Sequence, residues 1–131
     1  MSKKINICGY EFSIYSDPEE IEKKSGVYII LCIVDRKVHC ILDIGFSGNL
    51  NQRVKYHGRK KCWDENKHRK VIYAILYISN LSKIIDIENE LQWKLEYVCG
   101  DNYWKNVERA WQEYKEYEKR FGKRGQSHIQ I

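Results

Sequence analysis

Between Arg53 and Lys70, the segment RVKYHGRKKCWDENKHRK carries eight Lys or Arg and two His against only Asp64 and Glu65. Such a cluster is suited to gripping phosphates, because Lys and Arg contacts to a nucleic-acid backbone bind without reading sequence and weaken with salt. Arg59, Lys60, Lys61, Lys67, Arg69 and Lys70 are the candidate nucleic-acid contacts. They fall in a stretch without clear periodicity that reads as a loop, with Trp63 available to insert or stack. His57, Cys62 and His68 raise the question of zinc, but their spacings fit no standard site and a fourth ligand is missing. Cutting a phosphodiester needs a cation against the charge building on phosphate, a base for water and help for the leaving oxygen. One metal, one arginine and one hydroxyl or imidazole supply all three.

Composition sets the bounds on what can position such groups. The chain has 131 residues, 43% hydrophobic and 31% charged, which is one folded domain with room for a core and not for two. Its net charge of +5 favours an anionic partner. Val27 to Ile44 is broken by Asp35, Arg36 and Lys37, so no apolar run reaches the roughly 20 residues of a membrane helix. Met1-Ser2-Lys3-Lys4 leads into no apolar core, so no secretory signal is expected and the expected compartment is the cytoplasm, with no membrane partner. The five cysteines are an odd, scattered set without a C-x-x-C pair, which spells neither a disulfide framework nor a zinc ribbon. Cys32 and Cys40 are read as small buried residues facing each other across a hairpin.

Periodicity then places the elements. Residues 5–15 alternate around Gly9 as a short strand or small hairpin. Asp17-Pro18-Glu19-Glu20 opens a short helix that Ser25-Gly26 ends. Val27 to Val34 and Val38 to Ile44, separated by Asp-Arg-Lys, form a β-hairpin closed by Gly45. A helix follows with Ser47 or Asn49 as N-cap and Leu50, Val54 and His57 on one face, Arg53 lying about one turn beyond the cap. Val71 to Ile78 is a buried strand, central in a three-stranded antiparallel sheet. Asn80-Leu81-Ser82 caps a helix over Lys83 to Val98, with Ile84, Ile87, Leu91, Leu95 and Val98 as its core stripe. A last helix from about Trp104 to Phe121 has an aromatic stripe of Val107, Trp111, Tyr114, Tyr117 or Glu118, and Phe121, and the terminal HIQI offers an edge strand.

Three phrases in that layout resemble the GIY-YIG nuclease family. Its GIY stands here as Gly26-Val27-Tyr28, its YIG as Asp43-Ile44-Gly45, and its NL-x-x-RV helix phrase as Asn49-Leu50-Asn51-Gln52-Arg53-Val54. A fourth, Ile87-Glu88-Asn89-Glu90-Leu91, is similar to the family's LEN-x-L. The resemblance spans about Gly26 to Leu95 and implies an α+β domain, a small three-stranded antiparallel sheet flanked by helices. That gives a single domain over 1–131, with a GIY-YIG-like core at 26–98 and a C-terminal helix at 103–122 as an extension.

The resemblance also implies chemistry. It makes the chain a divalent-metal-dependent endonuclease, a hydrolase of DNA phosphodiesters using Mg2+ or Mn2+. Glu88 is then the metal ligand, Arg53 the grip on the scissile phosphate, Tyr28 the base or water-positioning group, and His57, one turn after Arg53 on the same face, a proton-transfer candidate. Two departures stand out. The YIG tyrosine is Asp43, and Phe46 follows the glycine where the repair-nuclease branch keeps a lysine. Asp43 either joins Glu88 in a two-carboxylate metal site or acts as a base, or it marks a retired active site. A catalytically degenerate module that binds nucleic acid or protein is therefore the first alternative, and a plain interaction module without nucleic acid the second. A lone nuclease domain would draw specificity from a homodimer or a targeting partner, or have little.

Overall fold

Asp35 and Arg36 both take positive φ, 52° and 65°, which makes the two-residue turn whose twist matches its flanking strands. That turn folds β3 (Gly26–Val34) onto β4 (Lys37–Ser47). Cys8 and Gly9, at 54° and 88°, repeat it between β1 (Lys3–Ile7) and β2 (Tyr10–Tyr15). The computed structural model describes residues 3–67, 69–99, 111–122 and 129–130.

The α+β class holds, but the three-stranded sheet does not. The sheet has five antiparallel strands, extended by the two-residue β6 (Ile129–Gln130), in the order β4-β3-β5-β2-β1-β6. β5 (Lys70–Tyr77) is interior as expected, but its second edge is taken: Ser13, Ile14 and Tyr15 of β2 pair with Ile75, Ala74 and Tyr73. An unpaired edge of that length would leave a row of backbone donors and acceptors without partners, and the N-terminal hairpin supplies them. β6 then pairs with β1, so Ile129 and Gln130 of HIQI do supply an edge strand.

β3 is buried on both faces. Val27, Ile29 and Leu31 face one side, where Phe12, Ile72, Ala74 and the stripe Ile84, Ile87 and Leu91 of α3 (Leu81–Lys94) complete a core. Tyr28, Ile30 and Cys32 face the other, against Leu50 and Val54 of α1 (Leu50–Lys55) and Trp63 of α2 (Lys60–Asn66). This is why the strand reads as a continuous apolar run rather than an alternation. Along β4, Ile30 pairs with Asp43 but Leu31 with Ile41, so Leu42 is an extra residue and a β-bulge. The outer edge of β4 is covered as well, by Gln92 donating to the Ile44 carbonyl and by the Val98 and Cys99 amides donating to Ile41 and Leu42.

Several local expectations are corrected. The acidic N-terminal helix is a single 3-10 turn, Pro18–Glu20, capped by Asp17. α1 has Asn49 as its N-cap and ends at Lys55, so His57 lies past the helix and not on the face of Arg53. The basic loop contains α2. α3 stops at Lys94, leaving Val98 exposed outside its stripe, although Leu95 and Tyr97 do enter the core. α4 (Trp111–Phe121) is the C-terminal helix; Val107, the turns before it and the side chains of Trp111, Tyr114 and Tyr117 lie outside the described residues, as does His68.

Cys62 and Cys99 form a disulfide, 37 residues apart, which the odd cysteine count concealed. Cys32 and Cys40 are direct cross-strand neighbours and remain thiols, Cys32 buried and Cys40 partly so. Burial, then the neighbouring Cys32, pushes the Cys40 thiol up to about 11. Among the described residues, no helix is long and apolar enough to cross a membrane.

Candidate functional site

Tyr28 is placed by a glycine on the neighbouring strand. Gly45 is its partner in the β3–β4 register, and a Cβ on Gly45 would lie 2.2 Å from the Tyr28 hydroxyl and 2.3 Å from Cζ. The phenol therefore lies flat across the glycine, its hydroxyl held on the α1/α2 side of the sheet. Gly26, at the other end of the pair, is packed so closely to β5 that a Cβ would sit 2.0 Å from the Leu76 carbonyl oxygen. Gly45→Ala is expected to cost about 3 kcal/mol through overpacking and to displace the Tyr28 hydroxyl. Thermal unfolding beside the Tyr28→Phe variant checks this, since Tyr28→Phe removes the hydroxyl without the clash.

The β-bulge puts Leu42 and Asp43 on that same face, and Asp43 is fully buried. Its carboxylate is saturated with donors. Oδ1 accepts from the Ile44 amide at 2.9 Å and Arg59 Nη2 at 2.9 Å; Oδ2 accepts from Arg59 Nε at 2.7 Å and Trp63 Nε1 at 2.9 Å. A buried carboxylate is tolerated only when paired and hydrogen-bonded, and a bidentate arginine is the strongest single partner. The two-carboxylate metal site expected of Asp43 with Glu88 does not form in this arrangement, because every lone pair of Asp43 already faces a donor. Trp63 is buried with its indole committed to Asp43, so it is not free to insert or stack on a base.

His57 follows α1 at Gly58's shoulder, buried between Tyr28 and Trp63, with ring centroids 5.5 Å and 4.6 Å away. Its Nδ1 accepts from the Arg59 backbone amide at 3.0 Å. The neutral ring therefore carries its one proton on Nε2 and donates it to the Tyr28 hydroxyl at 2.6 Å. The 3.4 Å approach of Arg59 Nη2 to Nε2 is then donor against donor and no bond. Burial, and then the charge of Arg53, push the His57 pKa down to about 4, with Arg59 and Lys60 adding to the effect and Asp43 opposing it. With both nitrogens engaged and the ring neutral, His57 orients Tyr28.

Tyr28 accepts from His57, so its own O–H proton is free to point at a substrate. Burial, reinforced by the Asp43 charge, pushes its pKa up to about 12, while Arg53, by charge and by hydrogen bonding, and the charge of Arg59 act against the rise. Arg53 is exposed on α1 and acts on both Tyr28 and His57, so the structure brings it to the same site. α1 itself is anchored by the Asn49 cap on the Gln52 amide at 3.2 Å and by buried Asn51, which donates to the Ile21 carbonyl at 2.8 Å.

Glu88 reaches the site from α3. Its carboxyl is half-buried and has no hydrogen-bond or ion-pair partner among the described residues. Burial raises its pKa to about 7; Arg59 lowers it and Asp43 raises it, so it faces that pair. Glu90, two positions on, is turned away, accepting from Tyr10 at 2.5 Å and Lys94 at 2.6 Å. A carboxyl with open oxygens fits a small divalent cation that keeps its waters and shares a phosphate oxygen. Among the described residues no group of three or more His, Cys, Asp or Glu is arranged to hold a metal, so the fit is to a single protein ligand.

The remaining basic residues are less free than their number implies. Lys61 lies 3.8 Å from Glu65, Lys67 3.4 Å from Asp64 and Arg69 3.8 Å from Asp35, whereas Lys60 and Lys70 have no ion pair among the described residues. Exposed pairs of this kind contribute little to stability and exchange readily for phosphate. Sequence reasoning put Arg59 among these surface cations. The signal that could have separated it is the lone Asp inside the apolar run Ile41–Ile44, a charge that must find a cation in the fold. Compared with known proteins, the chain matches no family model, no curated protein and no solved structure.

Proposed function

We propose that this chain is a divalent-metal-dependent endonuclease that hydrolyses DNA phosphodiesters, with site residues resembling those of GIY-YIG nucleases. One observation carries the reading: the half-buried carboxyl of Glu88, without a partner among the described residues, faces the Asp43–Arg59 pair, which lies beside the Tyr28–His57 hydrogen bond. Structural carboxylates are normally paired; one left open beside an anchored arginine is organised for a ligand carrying both cation and phosphate.

In this mechanism Glu88 would hold Mg2+ or Mn2+, which when bound supplies Lewis-acid neutralisation of phosphate charge. Arg53, exposed at the site's edge, grips the scissile phosphate. Tyr28 works as a neutral phenol, donating its free O–H as a hydrogen bond to a phosphate oxygen, while His57 Nε2–H fixes the hydroxyl from behind. Lys60 and Lys70 extend the contact along the backbone. The cytoplasm is the compartment this reading proposes, and the Cys62–Cys99 bridge, uncommon there, stands against it. Specificity would come from a second copy or a targeting partner.

The degenerate reading has its own support: Asp43 is spent on Arg59 and Trp63, and the Tyr28 phenol is a poor base. Supercoiled plasmid incubated with Mg2+, Mn2+ or chelator separates the two. Metal-dependent nicking is expected, reduced about 100-fold or more in Arg53→Ala. Salt-sensitive binding without nicking in either metal would favour the degenerate module, and no salt-sensitive binding would leave only an interaction module.

A further inference from the structure

We infer that Arg59 is a second phosphate-binding group of this site, its guanidinium fixed by the positioning residues Asp43 and Trp63 so that its open edge faces the substrate beside Tyr28. The inference rests on the phosphodiester reading of the site and assigns a role to a residue outside the four motif phrases.

Three observations carry it. The first is restraint: Nε and Nη2 bond both oxygens of a carboxylate with essentially no exposure, itself held by the Trp63 indole. The inner edge of the guanidinium cannot turn. The second is availability. The Arg59 side chain remains 37% exposed, and its Nη1 makes no hydrogen bond among the described residues. The third is location, since Nη2 is 3.4 Å from the His57 nitrogen that holds Tyr28, and the Arg59 charge acts on Tyr28, His57 and Glu88 alike.

A structural ion pair alone does not require this placement. Asp43 could have been satisfied by a lysine or by a fully covered arginine; a planar fork anchored on one edge and open on the other is the geometry that recognises phosphate oxygens. Asp43 thus takes the place of the second signature tyrosine by holding an arginine there. Arg53 is exposed and Arg59 is anchored, and both act on the Tyr28 hydroxyl.

The test is the salt dependence of binding to a labelled DNA duplex in chelator, read by fluorescence anisotropy, which is independent of catalysis. Arg59→Ala would strand Asp43 and risk the fold, so the main variant is Asp43→Asn with Arg59→Gln, which keeps hydrogen-bonding groups and removes both charges. Its log–log salt slope is expected to fall in magnitude by about one, as for loss of a single phosphate contact. A wild-type slope in a variant with near-wild-type melting overturns the proposal. Arg59→Lys keeps the charge without the fork, so binding is expected about 10-fold weaker at an unchanged slope, and unchanged affinity overturns it even if the double variant does not fold. Asp43→Asn alone should also weaken binding about 10-fold at an unchanged slope, because the fork loses its anchor; unaltered affinity removes Asp43 from the positioning role. If wild type never nicks plasmid, the nuclease reading falls while these slopes still decide whether Arg59 meets phosphate.

Discussion

Glu88→Gln is expected to abolish nicking, by about 1,000-fold or more, and at the same time to make the protein more stable in alkaline solution. The two effects have one cause. Burial holds the Glu88 carboxyl at about 7, above its ordinary range, so the fold prefers the neutral form. A raised carboxyl stabilises fully below the unfolded value near about 4.5 and loses that contribution as pH rises through about 7. Above that point wild type carries a half-buried carboxylate without a partner among the described residues, and the glutamine does not. With the discount that partial solvent access requires, the variant should gain about 1–2 kcal/mol near pH 8 and about nothing near pH 4. Thermal unfolding of both proteins in chelator across that range checks the sign. A variant less stable than wild type at alkaline pH would make Glu88 a structural partner and end its candidacy as a metal ligand. Below about pH 7, apparent Mn2+ affinity by calorimetry should fall about 10-fold per pH unit, since the ligand must shed its proton first.

Opening the Cys62–Cys99 disulfide is the second large effect. It closes a segment of 37 residues, and releasing that constraint on the unfolded chain costs about 4 kcal/mol. The bridge ties α2 to the chain that covers the β4 edge, where the Cys99 amide donates to the Leu42 carbonyl at 2.6 Å, one residue from Asp43. Arg59 and Trp63 both sit on or beside α2, a helix of 7 residues whose N-terminus has no side-chain cap. Short helices are marginal on their own, so α2 depends on its tethers. Reduction, or Cys62→Ser with Cys99→Ser, should lower the melting temperature by about 10 °C or more. Hydrogen exchange of the α2 amides should rise before that of β3 and β5. An unchanged melting temperature in reductant would show that packing of Trp63 alone holds α2 in place.

What was legible in the chain is what a few neighbouring residues decide. The hairpin break at Asp35-Arg36-Lys37, a helix cap at Ser47 or Asn49, the cap at Asn80, the apolar stripe of α3 as far as Leu91, the opposition of Cys32 and Cys40, and the divergence of Glu88 from Glu90 all follow from local periodicity and short-range hydrogen bonds; the structure narrows the turn to Asp35-Arg36 and the cap to Asn49. His57 shows the limit of that reasoning. Helical spacing put it on the Arg53 face, whereas α1 ends at Lys55 and the ring turns inward, where the Arg59 amide and the Tyr28 hydroxyl take its two nitrogens.

Other features depended on which long-range partner was free. Nothing in the alternation of residues 3–15 says that their hairpin docks on β5 rather than standing apart; the unpaired edge of β5 decides it, by exposing backbone groups that need partners. Nothing in a run of like cations says which one matters. Arg59 was one basic residue among eight in its segment until β4 buried Asp43 with no other cation bonded to it, and then the cost of an unpaired buried charge selected Arg59, drew in the Trp63 indole and left the rest at the surface. The sequence by itself determined where strands and helices lie, because these rest on neighbours within a turn or two, whereas Arg53 and Glu88 were candidates only through the family resemblance. Only the tertiary structure decided the size of the sheet, the disulfide and the Asp43–Arg59 anchor, because each joins groups far apart in the chain whose pairing is set by burial.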